Sequence, residues 1–188
     1  MPSLAKNPRP HAARHKRAPH GRARKSGIAT IISAATAASD AVALLEGEHR
    51  EMEKLFARYE DAGTAARKGA LALRICLELR VHMRIEDEIL YPPAYAAIED
   101  DLIDEALVEH ESARNLIKQI EVMRPGDPLF DAKVKVLSEH IEHHVKEEEE
   151  DIFPKLRSSD IDLTALGEQM RRRRTQLLSR LSGHALKR

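Results

Sequence analysis

The chain has 188 residues, and its 31 basic and 31 acidic residues give a formal net charge of zero at pH 7. Helix-forming residues recur while aromatic residues make up 3%, a composition that favours an all-α fold. The single cysteine, Cys76, excludes an intrachain disulfide and lies in an apolar stretch, which indicates a buried, inert thiol. No apolar run approaches the roughly 18 residues of a membrane span.

The first 27 residues hold eight Lys or Arg and no acidic residue, so residues 1–38 are predicted to be a disordered basic arm and linker. Residues 28–38 are too short and too poor in leucine for a signal sequence, and we expect a cytoplasmic protein. Two interpretations of the arm stay open: a solvated extension, or weak, salt-sensitive contact with nucleic acid or an acidic surface. The arm has no aromatic residue for base stacking.

Residues 39–188 are predicted to form a helical domain. Apolar periodicity predicts five helices, with capping residues before the first two and Gly or Pro after the first three, and strand patterns are absent from the sequence. The predicted ranges are 39–61, 64–91, 101–123, 129–156 and 163–181. Short connections between helices of similar length predict an up-down-up-down four-helix bundle, with the fifth helix against its outside and residues 171–174 facing water.

A histidine interrupts the apolar face of each bundle helix near its middle. Two of them begin the pattern His-x-x-x-Glu, as His82-Met-Arg-Ile-Glu86 and His144-Val-Lys-Glu-Glu148, which puts an imidazole and a carboxylate on one helix face. His49 and His110 occupy the other two helices. At one level of an antiparallel bundle, four imidazoles and two carboxylates would be costly to bury without a cation.

The residue types narrow the choice of metal. A nitrogen and oxygen ligand set without thiolate favours Fe, Mn, Zn or Ni, and two glutamates within reach of two ions suggest a dinuclear centre bridged by carboxylates. His143 and Glu147 form a parallel candidate pair on the fourth helix. The apolar stripe of that helix aligns with His144 and Glu148, which are therefore preferred.

These segments resemble the hemerythrin-like, or HHE cation-binding, family over roughly residues 40–182. The matching stretches are residues 40–51, 82–92, 104–110 and 142–154. The resemblance implies a four-helix bundle around a non-heme di-iron site, with Mn or Zn as other possible metals. Carried over residue by residue, its ligands are His49, His82, Glu86, His110, His144 and Glu148.

The third helix departs from the oxygen-carrying hemerythrins, which place two histidines one turn apart there. Ala106 and Arg114 flank His110 at that spacing, and His140 is the candidate for the further imidazole. Glu53, Glu88 and Glu109 are predicted to be surface groups or carboxylates that orient imidazoles. Ordinary packing is expected for Tyr91, with a hydrogen bond to a metal-bound ligand as the alternative.

Three function classes follow. The leading hypothesis is a di-iron protein that binds or senses O2, H2O2 or NO. The second is an enzyme that detoxifies peroxide at the same centre, although no separate nucleophile or general-base motif is visible. The third is a metal-stabilised bundle whose basic arm contacts nucleic acid.

Overall fold

The computed structural model describes residues 40–98 and 100–185. The predicted arm, residues 1–38, lies outside them, and the domain boundary at residue 39 stays a prediction. The described residues are helical and contain no strand, so the all-α prediction is confirmed for this part of the chain.

The described residues form five long helices and two short ones, joined in places by π turns. The long helices are α1 (Ala41–Glu60), α2 (Ala65–Ile85), α4 (Asp100–Glu121), α5 (Phe130–Glu147) and α7 (Leu163–Ala185). Each of α2 and α5 is followed by a π-helical turn, which leads into a short helix. These pieces are π1 (Glu86–Leu90) with α3 (Tyr91–Ala94), and π2 (Glu148–Ile152) with α6 (Phe153–Ser158).

The two π turns lie where the sequence repeats itself. Each begins at the glutamate of a His-x-x-x-Glu pattern, and a proline, Pro92 or Pro154, follows within the next helical turn. The sequence predicted that Pro92 would stop or kink its helix. In the structure the regular α-helix gives way to the π turn before Pro92, and the short helix that contains Pro92 ends at Ala94, as expected for a residue that cannot donate a helical hydrogen bond.

The apolar core is divided in two by a layer of buried polar side chains. One cluster includes Phe56, Ile75, Ile117 and Leu137, and the other includes Leu45, Leu90, Ile103 and Leu156. On α1 and α4 the buried histidine comes between the residues of the two clusters in sequence, and on α2 and α5 it lies near the last residues of the first cluster, before residues of the second. The polar layer is therefore enclosed on two sides by apolar packing.

The last helix packs against α1 and α2 through residues such as the fully buried Met170. Its four consecutive arginines were predicted to face water. That prediction is wrong for Arg174, which lies against the bundle, with its Nε 2.6 Å from Glu48 and a terminal nitrogen 2.7 Å from Glu78. Arg173 pairs with Glu88 at 2.6 Å.

Candidate metal centre

The polar layer brings together six of the seven predicted metal ligands. His49 comes from α1, His82 from α2 and His110 from α4, while His144 ends α5 and Glu86 and Glu148 begin the π turns. All six are buried, and both glutamates are completely inaccessible to solvent. Charged groups of this kind are rarely found in a core unless they are paired or bind a metal.

The four imidazoles form two pairs. The Nε2 atoms of His49 and His82 lie 3.2 Å apart, and those of His110 and His144 lie 3.1 Å apart. Metal–nitrogen bonds of about 2.0–2.1 Å place two nitrogens bound to one ion roughly 3 Å apart. The spacing within each pair therefore fits two ligands of one ion.

The two glutamates connect the pairs in different ways. Glu86 directs Oε1 to His82 Nε2 at 3.2 Å and Oε2 to His110 Nε2 at 3.4 Å. Glu148 directs the same oxygen, Oε2, to His49 Nε2 at 3.3 Å and to His144 Nε2 at 3.6 Å. Glu86 thus contacts each histidine pair with a different oxygen. Glu148 contacts both pairs with the same oxygen.

The outward-facing nitrogen of every imidazole donates to a carboxylate. The Nδ1 contacts are 2.7–2.9 Å long: His49 with Glu149, His82 with Glu48, His110 with Asp87 and His144 with Glu109. We call these four acidic residues the outer carboxylates. Because Nδ1 donates, each neutral ring keeps its Nε2 lone pair directed into the site.

Two observations test whether these residues fit a metal. Facing Nε2 lone pairs at 3.1–3.2 Å repel each other unless a cation or a shared proton lies between them. Both oxygens of Glu86 and Oε2 of Glu148 are buried without a hydrogen-bond partner. Buried polar atoms normally have such a partner, so the donor set fits a pair of cations.

The directions of the pKa shifts also indicate that ionisable groups are crowded together in the polar layer. Burial raises the pKa of Glu86 well above its usual value, and the nearby carboxylate of Glu148 raises it further. Burial also acts against ionisation of Glu148, yet His144 and His49 hold the pKa of that carboxyl below its usual value. Burial lowers the pKa of His110 to about 4, so this imidazole stays neutral at pH 7.

The two repeated segments differ in one aromatic residue beside the site. Tyr91 and Phe153 occupy matching positions, one residue before Pro92 and Pro154. Phe153 stacks on His49, and Tyr91 lies against His110. The Tyr91 hydroxyl also donates to Oε1 of Glu148 at 2.9 Å. Ordinary packing was the expected role for Tyr91, and the structure adds the hydrogen bond that was the alternative.

His140 lies outside the cluster. Its Nε2 is 3.1 Å from the backbone carbonyl oxygen of Glu109, so the geometry gives no support to a further imidazole ligand from this position.

Sequence reasoning found one outer carboxylate, Glu109, and missed Glu48, Asp87 and Glu149. It also considered Glu53 and Glu88, which instead pair with surface arginines. Every outer carboxylate is adjacent in sequence to one of the six clustered residues. That adjacency was the available signal, but it is weak in a chain this rich in acidic residues.

A small chamber lies beside the cluster. It measures about 10 Å³ and is lined by His49, His82 and His144 together with apolar side chains such as Met52 and Leu79. A wider groove of about 490 Å³ runs between α1 and α5 and reaches His49 and Glu149 from outside. The site thus has room for a very small molecule, and a groove approaches it from the surface.

The chain is similar to known proteins over most of its helical region. The hemerythrin HHE cation binding domain family matches residues 40–156. The crystal structure of a hemerythrin HHE cation binding domain-containing protein from Mycobacterium kansasii superposes with a TM-score of 0.65 and 27% identity, covering 74% of this chain and 88% of that one.

A curated relative is also similar. A DNA nickase from Nostoc sp. is 23% identical over 140 residues, which are 73% of this chain. The chain spans 40% of the length of that relative. Among the described residues, no helix is both long enough and apolar enough to cross a bilayer.

Proposed function

Because this chain belongs to the hemerythrin HHE cation-binding family, we propose that it holds two iron ions and binds or senses O2, H2O2 or NO. His49 and His82 would hold one ion, and His110 and His144 the other. Glu86 and Glu148 would be shared between them, and His140 would not take part. We further propose that the four helices around the site run up-down-up-down.

One observation carries the proposal. Four imidazoles that are fixed through Nδ1 turn their Nε2 atoms toward two buried carboxylates, three of whose oxygens have no hydrogen-bond partner. A nitrogen and oxygen donor set of this kind suits Fe, Mn and Zn. Iron is proposed because its redox chemistry matches the small molecules named.

When bound, an iron pair supplies open coordination positions and electron transfer. The protein contributes position and enclosure. The outer carboxylates hold the imidazole planes, the two apolar clusters exclude bulk water, and the Tyr91 hydroxyl fixes one oxygen of Glu148. The chamber of about 10 Å³ admits only a very small molecule.

Elemental analysis and optical spectroscopy test the proposal directly. Protein expressed with ample iron should contain about two irons per chain and show near-ultraviolet bands that respond to oxygen or peroxide. His140→Ala should keep both irons, whereas His110→Ala should lose at least one. Colourless protein that holds only zinc, or loss of iron from His140→Ala, would contradict the proposal.

A nucleic-acid function is the second candidate, and the similarity to a DNA nickase favours it. That relative is much longer, and its activity is not transferred to this chain. The basic residues 1–27 could still contact phosphates electrostatically. A gel shift with and without residues 1–27 at two salt concentrations tests this, and binding that is insensitive to salt would count against it.

A further inference from the structure

We propose a second divalent-cation site on the outside of the bundle, formed by Glu109 of α4 with His143 and Glu147 of α5. The Nε2 atom of His143 lies 3.1 Å from Oε1 of Glu147 and 3.7 Å from Oε1 of Glu109. One donor atom from each residue lies within 4.8 Å of the other two. This site goes beyond the proposed function of the buried centre.

The spacing suits a small divalent ion. His143 and Glu147 are one helical turn apart, so they present an imidazole and a carboxylate on one face, and Glu109 faces them from the neighbouring helix. With metal–ligand bonds of about 2.0–2.2 Å, donor atoms around one ion lie roughly 3–3.5 Å apart. Only a small movement of Glu109 would complete three ligands, and solvent could supply the rest.

The local charge also favours a cation. The described ion pairs give Glu109 and Glu147 imidazole partners and no Lys or Arg. The carboxylates of Glu109 and Glu147 both approach the same His143 ring, so they also lie close to each other. A divalent ion would relieve this repulsion among carboxylates. The His143 side chain is 60% exposed, so the site can be reached from solvent.

Glu109 connects the outer site to the buried centre. Its Oε1 faces His143, while its Oε2 accepts a hydrogen bond from Nδ1 of His144 at 2.7 Å. A cation on Oε1 draws electron density from the carboxylate and weakens that hydrogen bond. His144 then becomes a poorer donor through Nε2. Occupation of the outer site should therefore change the electronic properties of the inner one.

Titration with Zn²⁺ tests the outer site in the full-length protein with its iron loaded. Calorimetry, with released iron measured in parallel, should detect about one Zn²⁺ per chain that displaces no iron. His143→Ala and Glu147→Gln should each weaken this binding about tenfold or more. Glu142→Gln, an exposed neighbour outside the cluster, should leave it unchanged. Equal Zn²⁺ binding by the wild type and His143→Ala would overturn the proposal.

Spectroscopy separates this site from the buried one. In the iron-loaded protein, Co²⁺ bound at the outer site should add visible absorption that is absent from His143→Ala, so the difference between the two proteins reports the outer site alone. In the iron-loaded protein, Zn²⁺ should shift the optical bands of the wild type but not those of His143→Ala. Bands that shift equally in both proteins would refute the connection through Glu109.

Discussion

At the scale of single residues, the four clustered histidines share one feature, which is the contact that their Nδ1 atoms make. Each donates to an outer carboxylate, and three of these carboxylates are themselves held by arginines: Glu48 by Arg174, Asp87 by Arg114 and Glu149 by Arg50. The rings are thus fixed before any ion binds. A site arranged in this way avoids most of the entropy cost of ordering its donors.

The matching aromatic positions of the two repeated segments, Tyr91 and Phe153, differ by one hydroxyl group, and Tyr91→Phe removes it. The variant leaves Oε1 of Glu148 without its hydroxyl donor in a buried site. We expect both irons to bind, but about tenfold more weakly. Competition with a chelator measures this change. Tyr95→Phe is the matched control, because its exposed hydroxyl donates to Asp104, which is neither a clustered residue nor an outer carboxylate. Equal iron retention in the two variants would argue against a role for the Tyr91 hydroxyl.

Cys76 should be unreactive in the folded protein. Its side chain is almost wholly buried, and burial together with the charge of Glu121 raises the pKa of the thiol to about 12. The reactive thiolate is therefore scarce at pH 8, and reagents have little access to it. Labelling with a thiol reagent should be negligible without denaturant and complete in it. Rapid labelling of the native protein would contradict this prediction.

At the scale of elements, the repeated segment explains how two separate stretches build one centre. In each, a histidine is followed after four residues by a glutamate and after ten by a proline, with a π turn between the glutamate and the proline. The pattern His-x-x-x-Glu was visible in the sequence. The π turns were not, since a widened turn depends on packing as well as on local residue preference.

The last helix should influence the centre through Arg174. This side chain contacts Glu48, and Glu48 accepts the hydrogen bond from Nδ1 of His82. Arg174→Ala removes the cation that holds this outer carboxylate, so we expect about tenfold weaker iron retention. Chelator competition measures it, and Arg172→Ala is the control because Arg172 pairs only with Glu168 within the described residues. If both variants lower the melting temperature equally and retain iron equally, Arg174 has no influence on the metal centre and only stabilises the packing of α7.

At the scale of the whole molecule, the fold follows largely from periodicity, while the site needed tertiary information. Apolar spacing predicted the helices, and the interrupting histidines predicted a polar layer. Which nitrogen of each ring faces inward depends on partners such as Asp87 and Glu149, which come from other helices. The place of Arg174 likewise depends on how α7 packs, since its neighbours in the sequence are also arginines.

Metal removal should destabilise the bundle, because the polar layer then holds carboxylates that repel each other. Glu86→Gln tests this, because it should raise the melting temperature of the metal-free protein and lower that of the iron-loaded protein. In the metal-free protein at pH 7, the change removes a buried acid whose pKa is raised by burial and by Glu148. The melting temperature should therefore rise, by about 2–4 °C for each kcal/mol relieved.

In the iron-loaded protein the same change should lower the melting temperature. Glu86 directs one oxygen to each histidine pair, and glutamine cannot supply the negative charge that the two ions need there. Weaker metal binding then contributes less to the stability of the folded state.

Because the carboxyl pKa of Glu86 is raised in the fold, the gain in the metal-free protein should shrink as the pH falls toward 4.5. Calorimetric scans of both states measure these shifts, with the exposed Glu53→Gln as control. A drop in melting temperature in both states would mean that the buried glutamate stabilises the fold even without a cation.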